Sequence, residues 1–284
     1  MSEIRICGQR PNLDTEDPYG NKKRLAFCIE AIEQSSPRTV IDVGCGTGDL
    51  LTRPLAERFP AVRFIGLDSD EASLQYARSR PSLSNLSFAN ARRMTSDSAL
   101  IDMIIASEVI EHVELPEEFL STLRARLNPS GRLILTLPNG YGPFEFATLF
   151  EAMLRASGLF RILRAFKHAV SPPTTPQKQM TLAASPHVNF FSFSSIRALI
   201  ARSGFRILTY RPRTVLCGFG FDQIVTWLRF DQCNARIADK LPAQFSSDWM
   251  FVLAPDAKGT GRAFTRGGVS RLRRLLNERA FGPG

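Results

Sequence analysis

Much that would mark an extracellular or membrane-spanning chain is missing here. The 284 residues hold five cysteines, Cys7, Cys28, Cys45, Cys217 and Cys233. They are odd in number, scattered and without CxxC spacing, which argues against a disulfide framework or a zinc finger and suits a reducing compartment. No run of 18 apolar residues occurs, so no spanning helix is expected. The opening Met1-Ser2-Glu3-Ile4-Arg5 lacks the apolar core of a secretion signal. No internal repeat is present. These absences predict a cytoplasmic globular chain. Its 44% apolar content is ample for a buried core, in one large domain or two small ones.

Charge of one sign is also missing from most of the chain. The net charge is +9, yet residues 257–284 carry seven Lys or Arg against one Glu, and residues 143–186 carry five against two. The remaining 24 basic and 24 acidic residues cancel. A neutral core is not a general polyanion binder, which disfavours nucleic acid as a substrate. The basic excess sits in two appendages.

What is present is concentrated at Val40-Ile41-Asp42-Val43-Gly44-Cys45-Gly46-Thr47-Gly48. The run reads as a buried strand ending in an acid, a GxGxG turn, and a helix from Asp49 onward. Glycines at alternate positions let backbone pass where a β-carbon would collide with a bound cofactor. The first N–H groups of the helix are free to meet a polar ligand. A dinucleotide fingerprint, GxGxxG, would need glycine where Asp49 stands. Asp42, two residues before the first glycine, suits a cationic ligand better than a pyrophosphate. The run resembles motif I of the class I S-adenosylmethionine (SAM) methyltransferases. That resemblance implies SAM at Asp42, Gly44, Cys45, Gly46 and Gly48, with the acid near the methionine amino group.

A second strand, 62–67, leads to Asp68, which lies 20 residues beyond Gly48. At that spacing a strand-two carboxylate meets ribose hydroxyls and can accept from both. The competing role for Asp68 is a helix N-cap, since Ser69-Asp70-Glu71 opens a helix. After the third strand the family places a polar residue near the adenine. Here the stretch is Asn90-Ala91-Arg92-Arg93-Met94, so backbone groups of Ala91 and Arg92 are the candidates, with Met94 as an apolar neighbour.

Organisation follows from periodicity. Residues 20–36 carry a helical apolar stripe that ends before Pro37. Strands are expected at 38–43, 62–67, 86–89, 101–106 and 132–137, with a turn at Asn128-Pro129-Ser130-Gly131. The nearly all-apolar run 101–106 fits a central parallel strand buried on both faces. A helix capped by Ser194-Ser195 runs through Arg202, Gly204 ends it, and strands follow at 205–210 and 249–253. The fold class is α/β: a doubly wound, mostly parallel, seven-stranded Rossmann-like sheet, with an α-helical insertion after strand five. The divisions are an N-terminal helical segment 1–36, a SAM-binding core 37–142, an amphipathic basic insertion 143–186, completion of the core 187–256, and a basic flexible tail 257–284 with a short helix at 269–280.

The insertion is apolar on one side (Phe146, Phe150, Met153, Phe160, Phe166) and basic on the other (Arg155, Arg161, Arg164, Lys167). It reads as a lid over the substrate, a dimer face, or, through residues 144–170, a peripheral contact with anionic lipid. Oligomeric state is not legible.

Ser107-Glu108-Val109-Ile110-Glu111-His112-Val113 follows strand four, at the carboxyl edge where open α/β sheets bind ligands. Ser107 is placed with the cofactor. Were the turn helical, Glu108, Glu111 and His112 would share one face. Two carboxylates and an imidazole so close invite a divalent cation, or a general base near the transferred methyl. A purely structural role, a capping carboxylate and a histidine bonded to a nearby loop, is the alternative.

EVIEHV at 108–113, LPNGYG at 137–142 and PHVNFFSFSSIRALIARSGF at 186–205 extend the resemblance. The chain is similar to the ubiquinone-biosynthesis type O-methyltransferases and their broad relatives, over residues 37–142 and 186–210. It is similar also to small-RNA 2′-O-methyltransferases, in which an ExxEH unit and a later histidine hold a divalent cation at the acceptor hydroxyls. Carried over residue by residue, that implies Mg²⁺ or another divalent cation at Glu108, Glu111, His112 and His187. The expected activity is methyl transfer from SAM to a hydroxyl of a small aromatic or lipid-like acceptor, with Glu111 and His112 catalytic. The other readings are an RNA 2′-O-methyltransferase and a non-catalytic SAM-binding partner of another enzyme.

Overall fold

The computed structural model describes residues 18–92, 100–142, 187–216, 225, 228, 230–256, 271, 273 and 274. Seven strands, β1 (Thr39–Val43), β2 (Arg63–Asp68), β3 (Leu86–Asn90), β4 (Ile101–Ser107), β5 (Leu127–Pro138), β6 (Phe205–Pro212) and β7 (Asp248–Pro255), form one sheet in the order β3-β2-β1-β4-β5-β7-β6. The first five are parallel, and β7 runs antiparallel to both β5 and β6. The strand order reverses between β1 and β4, and their carboxyl ends frame the crevice where such sheets bind ligands.

The helices are α1 (Pro18–Ser35), α2 (Thr52–Arg58), α3 (Glu71–Ser79), α4 (Pro116–Arg126), α5 (Phe193–Arg202) and α6 (Asp231–Ala238). Alternation along the strands builds two cores. Val40, Phe64, Met103, Ile105 and Met250 face Phe27, Cys28 and Ile32 of α1 and Leu55 of α2. Ile41, Val43, Ile104, Ala106, Leu133 and Leu135 face Leu120 and Leu123 of α4 and Ile196, Leu199 and Ile200 of α5. Each such fully buried side chain contributes roughly 1.5–3 kcal/mol.

Several boundaries differ from the sequence reading. The segment after the glycine turn stays irregular through Leu51, and α2 starts at Thr52 rather than Asp49. The cap of α5 is Ser192, whose hydroxyl accepts from the Ser195 N–H at 3.2 Å, while Ser195 Oγ accepts from the Ser192 N–H at 2.9 Å. That reciprocal pair outcompetes Ser194 for the first turn. The expected turn at 128–131 is an excursion within β5. Register moves from Ile101↔Leu127 to Met103↔Arg132, and Asn128 Nδ2 donates to Asp102 Oδ1 at 2.8 Å across it. The insertion at 143–186, Met94 and most of the basic tail lie outside the described residues. No helix among the described residues is long and apolar enough to cross a membrane.

Candidate functional site

The glycine turn leaves β1 at the switch point. Gly44, Gly46 and Gly48 have φ of 74°, 54° and 73°, a region that L side chains rarely adopt. Packing adds a second reason. A β-carbon on Gly44 would lie 2.4 Å from Val109 Cγ2, and one on Gly48 would lie 2.6 Å from the Phe88 ring. Two of the glycines are therefore demanded by protein neighbours as well as by the turn. The Phe88 ring, which packs on both Gly48 and Gly66, went unremarked in the sequence. Cys45 stands between the glycines, half-buried, and its N–H donates to Leu67 O at 3.1 Å.

Asp68 ends β2 beside this turn. Its Oδ2 accepts from Gly46 N at 2.7 Å and its Oδ1 from Asp70 N at 2.8 Å. The N-cap of α3 is Asp70, which accepts from Ala72 N and Ser73 N, so capping does not occupy Asp68. Each Asp68 oxygen keeps a lone pair for a ligand hydroxyl. Ser69 is exposed alongside. Ala91 N donates to Asp68 O at 2.8 Å and Arg92 N to Asn90 Oδ1 at 3.1 Å. The N–H groups of both residues are thus bonded within the protein.

Asp42 is 3% exposed and accepts from Thr52 Oγ1 at 2.6 Å. Burial pushes its carboxyl up to about 7, against the lowering effects of the Thr52 hydroxyl and Arg24. It faces the inside of the turn through Thr52.

A polar chain closes the other side of the crevice. Arg24 of α1 donates to Ser107 Oγ at 3.1 Å, Ser107 meets Thr136 Oγ1 at 2.9 Å, and Thr136 donates to Glu108 Oε1 at 2.7 Å. Arg24 and Arg213 lie 3.7 and 3.8 Å from the same Glu108 oxygen, and Arg213 pairs with Asp248 at 2.9 Å. Burial alone would raise the Glu108 carboxyl. The two guanidinium groups and the Thr136 hydroxyl outweigh it and hold Glu108 below the usual carboxylate range. Nothing local in the sequence singled out Arg24, Thr136, Arg213 or Asp248. They converge from α1, β5, the end of β6 and the start of β7.

Residues 108–112 form a turn and not a helix. Glu108 has φ of 56°, its N–H donates to Thr136 O at 3.0 Å, and its side chain binds the same residue. The chain must therefore bend away immediately after it. Glu108 Oε1 faces the two arginines, and its charge still reaches Glu111 and His187. Among the described residues, Glu111, His112 and His187 offer ligand atoms all within 4.8 Å of one another, and Glu108 is outside that group. The histidine rings stand edge to face with centroids 4.9 Å apart. Glu111 is 1% exposed, and neither of its oxygens accepts a hydrogen bond among the described residues. His112 Nε2 is 3.8 Å from its Oε1. Burial, reinforced by the Glu108 charge, pushes Glu111 up to about 8.

Asn189, 2% exposed, joins the His187 segment to the Glu111 turn, and nothing local in the sequence marks it beyond its place after His187. Its Nδ2 donates to Ile110 O at 3.1 Å and to Val113 O at 2.5 Å, and the Val188 and Asn189 N–H groups both reach Glu111 O at 2.9 Å.

A glycine turn on β1, a carboxylate ending β2 and an acid-histidine turn after β4, on this strand order, agree with a family model described as a methyltransferase domain, which matches residues 14–210, more than half of the chain. The chain belongs to that family. The chain is 32% identical over 124 residues to a ubiquinone biosynthesis O-methyltransferase of Rickettsia felis, covering 42% of this chain and 50% of that one. It is 36% identical over 129 residues to a trans-aconitate 2-methyltransferase of Methylobacterium radiotolerans, covering 45% and 49%. The methyltransferase spans about half the length of these curated relatives. A solved magnesium protoporphyrin IX methyltransferase of Synechocystis matches at a TM-score of 0.49 and 16% identity, over 88% of this chain and 90% of that one. In the methyltransferase, the Asp68 lone pairs and the glycine turn suit the ribose and methionine portions of SAM. Arg24, buried beside Ser107, is the cation of the polar chain on the other side of the crevice.

Proposed function

We propose that this methyltransferase transfers the SAM methyl group to an oxygen of a small aromatic or lipid-like acceptor, with a divalent cation such as Mg²⁺ held by Glu111, His112 and His187. Glu111 is the observation that carries this reading. A buried carboxylate with no hydrogen bond to either oxygen calls for a proton or a cation, and two imidazoles converge on it. One carboxylate and two imidazoles form a donor set that divalent metals accept.

When bound, SAM supplies a methyl already activated on sulfur, and the cation polarises the acceptor oxygen. The residues of the chain then align the acceptor with the methyl. Glu108, held ionised by Arg24 and Arg213, fixes the turn from which Glu111 and His112 project. With His112 on the cation, the acceptor hydroxyl loses its proton because the cation lowers its pKa; without a cation, His112, 28% exposed, would take that proton itself. The names of two relatives, the ubiquinone enzyme and a malonyl-[acyl-carrier protein] O-methyltransferase of Xylella fastidiosa (29% identical over 160 residues), specify oxygen as the methyl acceptor, which supports the choice of oxygen here.

The test is to incubate the protein with methyl-labelled SAM and a cell extract divided into lipid, small-molecule and RNA fractions. Label in the lipid or small-molecule fraction is expected. Label confined to RNA would replace the acceptor class, and no label in any fraction would favour a non-catalytic SAM-binding partner.

A further inference from the structure

The composition of residues 257–284 suggests a solvated basic terminus, yet Arg273 is 7% exposed. Burying a guanidinium costs several kcal/mol unless its hydrogen bonds and charge are answered. Here they are. Arg273 Nη1 donates to Gly140 O, and the guanidinium lies 4.8 Å from the centroid of the Phe190 ring. The next residue, Arg274, makes a two-pronged pair with Glu114, at 2.7 and 3.0 Å.

These contacts fall on three stretches that meet at the site. Glu114 lies three residues beyond Glu111. Gly140 belongs to the loop after β5, and Phe190 to the segment that begins with His187. The loop and the segment already touch through their main chains: Gly140 N donates to Phe191 O at 2.9 Å, and a β-carbon on Gly140 would lie 2.5 Å from Phe191 N. The Phe190 ring is 6.4 Å from the His187 ring. On the opposite flank, Asn189 and the Val188 and Asn189 N–H groups hold the His187 segment to the Glu111 turn. Arg273 and Arg274 therefore bridge, from the outside, the two pieces of chain that carry Glu111, His112 and His187.

We propose that Arg273 and Arg274 are positioning residues for methyl transfer. These two side chains act as a clip that sets the spacing of His187 against Glu111 and His112. The clip rests on the reading of those three side chains as the working group, because a displacement of about 1 Å there costs up to ~10²-fold in rate or a comparable loss of metal affinity. It assigns to Arg273 and Arg274 a task at the site, where the composition of the tail suggests only a solvated terminus.

The experiment uses the full chain and four variants: Arg273→Ala, Arg273→Lys, Glu114→Arg, and Glu114→Arg combined with Arg274→Glu. The first readout is amide hydrogen exchange without metal or SAM. In Arg273→Ala, the Val188 and Asn189 amides should exchange about tenfold faster, while the Gly44 and Cys45 amides bonded to Leu67 O are unchanged. Lysine at 273 should recover part of the protection. Glu114→Arg should loosen the same two amides, and the paired exchange should restore them. The second readout is Mn²⁺ affinity by electron paramagnetic resonance, beside SAM affinity by calorimetry. Mn²⁺ should weaken about tenfold in Arg273→Ala with SAM unaffected. Wild-type protection at Val188 and Asn189 in every variant overturns the clip. Were Arg273→Ala not to fold, the Glu114 and Arg274 pair decides by the same amides. Wild type that binds no Mn²⁺ overturns the cation reading alone, since the exchange data still judge the clip.

Discussion

Asp68 does two jobs from one carboxylate. It anchors Gly46 and the start of α3, and its remaining lone pairs point at the crevice where ribose hydroxyls belong. Asp68→Ala should weaken SAM binding by about 10- to 100-fold, the range for losing hydrogen bonds to a charged group, as read by calorimetry. Unchanged affinity would remove Asp68 from the cofactor site. Asp42 offers a separate test through pH. Folded Asp42 keeps its proton up to about 7, whereas the unfolded chain releases it near the ordinary 3.8. Between those values the folded state binds more protons, so this carboxyl lowers stability as pH rises across that interval. Asp42→Asn should flatten the fall in Tm across the same interval. A slope equal to wild type would place the charge change elsewhere. Gly44 has φ of 74° and Val109 at 2.4 Å from where a β-carbon would stand. Gly44→Ala should therefore cost about 1–3 kcal/mol in denaturant unfolding.

At the scale of elements, Asn189 carries the contact between the His187 segment and the turn after β4. Asn189→Ala leaves the Ile110 and Val113 carbonyls without their side-chain donor, and should destabilise by about 1–3 kcal/mol in denaturant unfolding. A loss well below that range would mean that the two backbone bonds to Glu111 O hold the segment alone. The legibility of the elements divides along the same line. β1, its glycine turn and β2 with Asp68 could be read because their spacing is a local code: apolar strand, glycines, acid. The helical face drawn through Glu108, Glu111 and His112 could not survive, because both main chain and side chain of Glu108 are tied to Thr136 of β5, a residue far away in sequence. The structure does bring Glu111 and His112 together with His187, which the sequence singled out by its place before the Phe190-Phe191 pair. Arg24, Arg213 and Asp248 had no spacing to read. Only the sheet order, with β7 inserted between β5 and β6 and α1 laid over the same end, brings them to Glu108.

Over the whole molecule, neutral core and basic appendages take on separate roles. The sheet leaves a crevice between β1 and β4, proposed above for SAM, and Glu111, His112 and His187 stand together in the segments after β4 and before α5. Two of the described tail arginines, Arg273 and Arg274, answer Gly140, Phe190 and Glu114, so part of the +9 charge is used internally. On the proposed reading the site has a cofactor half, centred on Asp68 and the glycine turn, and an acceptor half, centred on Glu111. The two halves should fail separately. The most direct measurement is labelled methyl transfer by wild type and Glu111→Gln, each with and without EDTA, beside SAM affinity for both. Wild-type transfer that EDTA abolishes, a Glu111→Gln rate lower by about 10²-fold or more, and equal SAM affinity are the predicted results. Full turnover by Glu111→Gln in the presence of EDTA would contradict the account.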